Sequence, residues 1–416
     1  MAQLSDDCFA FGGALLPIEE AMRIIAANIG PVASTETVTL ADADGRVLAG
    51  DIVAPIDLPP YANSAVDGYA VRSADLRDRT VLPVEGRAAA GDPAGVALRA
   101  GTARRIFTGA ILPEGADTVF MQEDVRLDEA GRVHLPPGLR RGANTRAQGE
   151  DVRAGATALP DGRRLRPQDV ALAASLGLRD LTARRPIRLA LFSTGDEVVD
   201  PGTPLAPGKL YDANRILLAA LARRAGAEVT DFGILPDSAG VITGALRDAT
   251  RTHDLVMTSG GVSAGDEDHV RRAIEATGHL VFWRLAIKPG RPVAMGVIDG
   301  TPLVGLPGNP VAAFVTFAAV ARPLIAALSG AAPPERIALP VRAGFSHRKK
   351  SGRREYLRVR LIRAADGELE ARKHPRDGAG ILSSLTETDG LAELAEPVTT
   401  VVPGDVVGYL PYAGLF

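Results

Sequence analysis

A single cysteine, Cys8, is all that this chain of 416 residues offers. That excludes an internal disulfide and a cysteine-built zinc site, and it leaves no thiol nucleophile near any motif discussed below. Aromatic side chains make up only 4% of the residues, too few to suggest a platform for stacking nucleic-acid bases. The six histidines are scattered, and none is assigned to catalysis. A formal net charge of −3 gives no global pull toward nucleic acid or a membrane surface. There is no Gly-x-Gly-x-x-Gly opening a helix after a strand, no Walker P-loop, no His-Glu-x-x-His and no Gly-x-Ser-x-Gly. No basic segment runs into an apolar core near Met1, so no signal peptide is expected and the expected location is cytoplasmic. The most membrane-like run, Val311 to Leu328, meets Arg322-Pro323 after eleven residues. A span needs roughly 18–20 apolar residues, so this run predicts a buried helix that ends or kinks at the proline.

What is present is the composition of a globular protein, 46% hydrophobic and 23% charged, long enough for two to four domains. An amphipathic helix begins at Pro17, with Ile18, Met22, Ile25 and Ile29 on one stripe. From Thr37 to about Gly149 short β-like runs alternate with Gly, Pro and Asp turns, which predicts a small β-rich domain. Pro167 to Leu176 reads as a helix stopped by Gly177. From Ile187 strands (187–192, 228–232, 255–258, 280–285, 293–297, 302–306) alternate with helices (214–225, 238–250, 269–277 closed by Gly278, and one after Pro310). That alternation predicts a doubly wound, mainly parallel α/β domain. After Pro333-Pro334 the chain turns basic and β-like, with thirteen Lys/Arg against four Asp/Glu between Arg336 and Arg376.

In a sheet of this kind ligands sit beyond the carboxyl ends of the strands, so the loops there are the candidates for chemistry. The most informative is Ser259-Gly260-Gly261-Val262-Ser263-Ala264-Gly265-Asp266-Glu267-Asp268. Its glycines let backbone N–H groups approach an anion, and its carboxylates suit a hard cation such as Mg²⁺. Alone it could be a plain strand-to-helix turn. Ser193-Thr194-Gly195-Asp196-Glu197 makes Glu197 a second candidate, although such a segment more often only caps the next element. Gly305-Leu306-Pro307-Gly308-Asn309-Pro310 is a stiff turn with Asn309 as the expected N-cap. Lys288 and Arg291 sit in a proline-fixed turn with Arg284 four residues upstream, a set suited to a polyanion. Asn63-Ser64-Ala65-Val66-Asp67-Gly68-Tyr69-Ala70 and Thr108-Gly109-Ala110 read locally as turns.

Taken in order, these motifs resemble the MoeA-type molybdopterin molybdenumtransferase family, related to the gephyrin E domain, and the resemblance spans nearly the whole chain. It implies an elongated homodimer of four-domain subunits. Residues 1–50 with 150–183 would form a discontinuous N-terminal helical/linker domain, and 51–149 the inserted β-rich domain. Residues 184–332 would form the molybdopterin-binding α/β domain, and 333–416 a C-terminal β-barrel. The family's active site lies between the α/β domain of one subunit and the β-rich domain of its partner. Matched motif by motif, the catalytic positions fall on Asp67, Thr108, Glu197, Asp237 and Asp268. Substrate binding falls on Ser259, Gly260, Gly261, Ser263, Arg284, Lys288, Arg291, Pro307, Pro310 and Arg353, and Mg²⁺ on Asp237, Asp266 and Asp268. The implied reaction moves molybdenum from molybdate into adenylylated molybdopterin and releases AMP, with an adenylyltransferase as a possible partner protein. Arg291 stands where the bacterial pattern has lysine, and Gly378-Ala379-Gly380 where relatives offer a hydroxyl. The alternatives are a molybdopterin adenylyltransferase and a non-catalytic scaffold that uses the basic C-terminal region.

Overall fold

The computed structural model of the chain describes residues 15–77, 79–93, 96–262, 269–333 and 336–415. Its largest sheet has six strands in the order Glu228–Leu235, Arg188–Thr194, Leu255–Ser259, Thr301–Leu306, Ala294–Ile298, Gly278–Phe282. The first four run parallel, and Ala294–Ile298 is antiparallel to both its neighbours. Successive side chains of a strand face opposite ways, and here both faces are covered. Leu189 and Leu191 join Leu218, Leu221 and the helix after Pro310 on one side, while Ala190 and Phe192 join Ile242, Leu246, Val270 and Ile274 on the other. The edge differs from the sequence expectation. Helix His269–Thr277 ends before Gly278 as expected, but Gly278 itself already starts the edge strand, and an added Cβ there would lie 2.0 Å from the Val297 carbonyl oxygen.

The apolar helix runs from Pro310 to Leu328 without ending at Pro323. A π-helical segment, Phe317–Ala321, precedes the proline, and its wider turn accommodates the missing N–H. By length and composition this helix could cross a membrane, but 83% of its most apolar window is buried inside the protein. Helix Ile18–Asn28 packs on it, burying Ile18, Ala21, Ile24 and Ile25 in the cluster that holds Leu324 and Leu328. Just before that helix, Leu16 bridges the backbone on either side of Leu285, accepting from Ala286 at 2.7 Å and donating to Arg284 at 2.9 Å.

A second unit is built from two separated stretches of chain. Thr35–Thr39 and Val47–Leu48 flank Asp180–Arg184 in a three-stranded sheet, and Ile52–Val53 pairs with Thr157–Leu159. Helix Pro167–Ser175 closes the core formed by Val38, Leu48, Leu159, Leu165, Ala173 and Leu181. Asp169, 3% exposed, ties the helix start down. Its carboxylate accepts from Arg163 Nη2 at 2.7 Å and from the Arg166 backbone N–H and Nε at 3.0 Å each. Burial works against its ionisation, but these hydrogen bonds outweigh burial and hold the carboxyl far below the usual carboxylate range. A depressed folded-state pKa contributes stability that is fully present above the unfolded value and is lost as pH falls through the folded one. Asp169→Asn is therefore expected to lower stability by about 1–2 kcal/mol at pH 7. Thermal melts should show the gap between wild type and variant shrinking below about pH 4.

Between those stretches lies a six-stranded unit ordered Thr118–Met121, Gly68–Val71, Ala103–Ile106, Val81–Ala88, Arg132–His134, Arg126–Leu127. At the other end of the chain, five strands form a closed barrel: Arg354–Arg363, Leu369–Lys373, Leu339–Ala343, Val406–Pro411 and Gly390–Leu394, the last pairing again with the first. The basic character of this region is largely spent internally. Arg342 pairs with Asp366, Arg354 with Glu393 and Glu396, and Lys373 with Asp377. Ile287–Lys288, which follows the α/β edge, adds to the barrel in parallel beside Arg354 and Glu355.

Candidate active site

The carboxyl ends of four neighbouring parallel strands open into one cavity of about 760 Å³. Ser193, Thr194, Gly195 and Glu197 come from the end of Arg188–Thr194, and Asp237 from the loop after Glu228–Leu235. Ser259, Gly260 and Gly261 follow the third strand, and Pro307 to Pro310 the fourth. The glycine turn is required by close approach. Gly260 and Gly261 have φ of +90° and +68°, and a Cβ on Gly260 would lie 2.7 Å from the Thr194 carbonyl oxygen. The turn therefore brings main chain to the cavity wall without side-chain obstruction, with the Gly260 N–H itself donating to the Leu306 carbonyl at 2.9 Å. Ser193 Oγ and Thr194 Oγ1 are buried in its wall with no hydrogen-bond partner among the described residues.

Asn214 holds this floor together. Buried at the start of helix Ala213–Arg224, its Nδ2 donates to Ser259 Oγ at 3.0 Å and to the Gly308 carbonyl at 2.8 Å. Sequence reasoning saw Asn214 only as a helix start, because its partners lie 45 and 94 residues away. The helix is fixed in turn by Asp212, which accepts from the Arg215 N–H at 3.0 Å and from Arg215 Nε at 2.9 Å. Asn309, expected as an N-cap, occupies that position but makes no capping side-chain hydrogen bond.

Carboxylates rim the mouth. Asp196 and Asp237 brace each other reciprocally: the Asp237 N–H donates to Asp196 Oδ1 at 3.1 Å and the Asp196 N–H to Asp237 Oδ2 at 3.3 Å. Asp196 belongs to a motif recognised in the sequence, yet its brace across 41 residues was not foreseen. No group of three His, Cys, Asp or Glu able to hold a metal occurs among the described residues. Ser263, Asp266 and Asp268 lie outside those residues. The carboxylates lining the cavity are Glu197, Asp237 and the Arg215-bound Asp212, with no thiol or imidazole beside them, a donor chemistry that suits a hard divalent ion.

The cations divide between this cavity and a second one. Arg284 and Arg291 line the first; the Arg284 guanidinium stacks 4.0 Å from the Trp283 ring centroid, with Arg271 at 4.4 Å from the same ring. Lys288, Arg291 and Arg353 line the second, of about 310 Å³, with His347, Glu355 and Asp377. The cavities share Arg291, Pro292, Pro307 and Asn309, so they adjoin. His347 and Glu355 carried no motif and were not identified from the sequence.

Asp67 and Thr108 are not among the residues lining either cavity. They form a pair on the β-rich unit, with Asp67 Oδ1 accepting from the Thr108 N–H at 2.8 Å and its hydroxyl at 2.7 Å. The backbone and side-chain hydrogen bonds from Thr108 hold the Asp67 carboxyl below its ordinary value, so it presents a fixed negative charge.

Three family profiles match the chain in succession: the MoeA N-terminal region (domain I and II) over residues 16–177, a probable molybdopterin binding domain over 190–327, and the MoeA C-terminal region (domain IV) over 340–412. The molybdopterin molybdenumtransferase of Haemophilus influenzae is 36% identical over 96% of this chain and 99% of its own length. Molybdopterin molybdenumtransferase 2 of Mycobacterium tuberculosis is 36% identical over 93% of this chain and 97% of its own. The crystal structure of the molybdopterin biosynthesis moeA protein from Pyrococcus horikoshii OT3 superimposes with a TM-score of 0.79 at 30% identity, covering 96% of this chain and all of that one. With the four-strand cavity, the closed barrel and these matches along its length, the chain belongs to the MoeA family of molybdopterin molybdenumtransferases.

Proposed function

We propose that this protein inserts molybdenum from molybdate into adenylylated molybdopterin, cleaving the phosphoanhydride with Mg²⁺ dependence and releasing AMP, in the cytoplasm and as a homodimer. The observation that carries this reading is the pair of adjoining cavities. One has a glycine turn and free hydroxyls suited to phosphate, and the other has clustered cations suited to a small oxyanion. The backbone amide of Gly261, with Ser193, Thr194 and Ser259, would cradle the phosphates, while Arg284 and Arg291 offset their charge. Lys288 and Arg353 would hold molybdate in the second cavity. The sulfurs that receive molybdenum belong to the pterin substrate, so no protein thiol is needed. Asp237, with Asp196 and with Asp266 and Asp268 from the same chain, would hold Mg²⁺. Bound there, Mg²⁺ would neutralise charge on the phosphate oxygens as AMP departs.

An adenylyltransferase would use the same phosphate cradle but would have no need of a second oxyanion pocket. Such an enzyme is instead the expected partner that supplies the adenylylated substrate. Incubating the pure protein with adenylylated molybdopterin, molybdate and Mg²⁺ should release AMP in step with formation of molybdenum cofactor. If it instead makes adenylylated molybdopterin from ATP and metal-free molybdopterin, the assignment is reversed. The scaffold reading loses its main support, because much of the basic charge of the C-terminal region is paired within the barrel.

A further inference from the structure

The molybdate reading uses the cations of the second cavity but leaves its buried carboxylate without a task. Glu355 is fully buried. Its Oε1 accepts from Arg353 Nε at 2.9 Å and forms an ion pair with Nη2 at 2.7 Å. Its Oε2 lies 2.9 Å from His347 Nε2 and 3.5 Å from Lys288 Nζ. Burial alone would raise its pKa, but His347, Lys288 and Arg353 together hold it below the ordinary carboxylate value. The charge is therefore permanent, and removing it would strand its partners.

Arg353 is fixed at its main chain as well. Lys349, 8% exposed, donates to the Arg353 carbonyl at 2.7 Å and to the Glu396 carbonyl at 3.2 Å. Left to solvent, long arginine and lysine side chains would sample many rotamers. Here Arg353 is committed through Nε and Nη2, while its Nη1 makes no hydrogen bond among the described residues. The side chains of Arg353 and Lys288 remain 29% and 50% exposed, so both can still meet a ligand in the cavity. Arg291 adds a third cation to the cavity, whereas Arg358 and Asp377 are spent elsewhere. Arg358 donates to the Arg376 carbonyl at 2.7 Å and to Ser384 Oγ at 3.0 Å, and Asp377 is tied to Lys373 at 2.8 Å.

We infer that Glu355 is a positioning residue, which aims the free donors of Arg353 and Lys288 at a tetrahedral oxyanion in the second cavity. The inference rests on the reading of that cavity as the molybdate pocket. Glu355 does not touch the anion, since like charges repel; it acts through the cations it orients.

The test is molybdate binding to the full-length protein by equilibrium dialysis, together with steady-state kinetics. Glu355→Gln keeps the shape and removes the charge. It should raise the molybdate Kd and KM about tenfold, with kcat largely recovered at saturating molybdate. Arg353→Ala should weaken molybdate at least as much, and the double variant should fall well short of the sum of the two effects. If Glu355→Gln is too unstable to assay, Lys349→Met, which frees the other end of Arg353, should give the same KM effect and the same non-additivity. Additive losses, or unchanged molybdate affinity in Glu355→Gln when Arg353→Ala has lost it, would overturn the positioning role alone. Molybdate affinity indifferent to Arg353→Ala would overturn the pocket reading and this inference with it.

Discussion

Replacing Asp237 by asparagine is expected to slow AMP release by about a hundredfold or more while leaving the fold intact. The side-chain oxygen of asparagine can still accept from the Asp196 N–H, as Oδ2 of Asp237 does now at 3.3 Å, and the reciprocal bond from the Asp237 N–H is untouched. Only a negative charge is lost at the cavity mouth. A rate difference between the two proteins then reads the charge rather than the architecture. The loss should be deeper at low Mg²⁺ and partly recovered at high Mg²⁺, since weakened metal binding is overcome by mass action. Single-turnover release of AMP across a Mg²⁺ series, beside a thermal melt, is the measurement. An unchanged rate at every Mg²⁺ concentration would remove Asp237 from the proposed chemistry.

The second large effect concerns Asp67, which lies on the β-rich unit and lines neither cavity. Thr108 occupies one of its oxygens twice, leaving the other available to a group outside the unit. If that group is a substrate bound to a second subunit, Asp67→Asn should slow turnover at least as much as is expected of Asp237→Asn. Heterodimers carrying one substitution in each subunit should then regain about half of wild-type activity, because one of the two shared sites contains both native residues. Co-expression with two affinity tags isolates such heterodimers. Heterodimers no more active than either parent, or an active monomer in solution, would end the shared-site proposal.

The parts of the site that were legible in the sequence are those whose chemistry is local. Gly260-Gly261 after an apolar strand, Glu197 after another and the stiff Pro307–Pro310 turn each carry their signal within a few residues, and the structure brings them to one cavity. The parallel order of the sheet was equally readable from the alternation of strands and helices. What escaped notice depends on partners far away in the chain. Asn214 is a helix-start residue until Ser259 and Gly308 are beside it. Glu355 lies in a run of alternating residues that says only strand, and its partners come from a turn 67 residues earlier and from two neighbouring positions in the barrel. Gly278 follows the end of its helix as read, but that it also begins the edge strand was not foreseen, because the Val297 backbone that excludes a side chain there belongs to another strand. Pro323 was a reasonable place for the apolar helix to end or bend; the π-helical segment before it lets the helix continue.

The ladder between Ile287–Lys288 and Arg354–Glu355 has a mechanical consequence. Lys288 and Arg353 come from segments on opposite sides of the seam between sheet and barrel, yet the main chains beside them are joined by that pairing and by the Arg354 N–H to Ala286 carbonyl bond at 2.8 Å. A hinge at this seam would have to break those bonds and pull Lys288 away from the carboxylate it shares with Arg353. The anion therefore finds its cations already assembled across the seam.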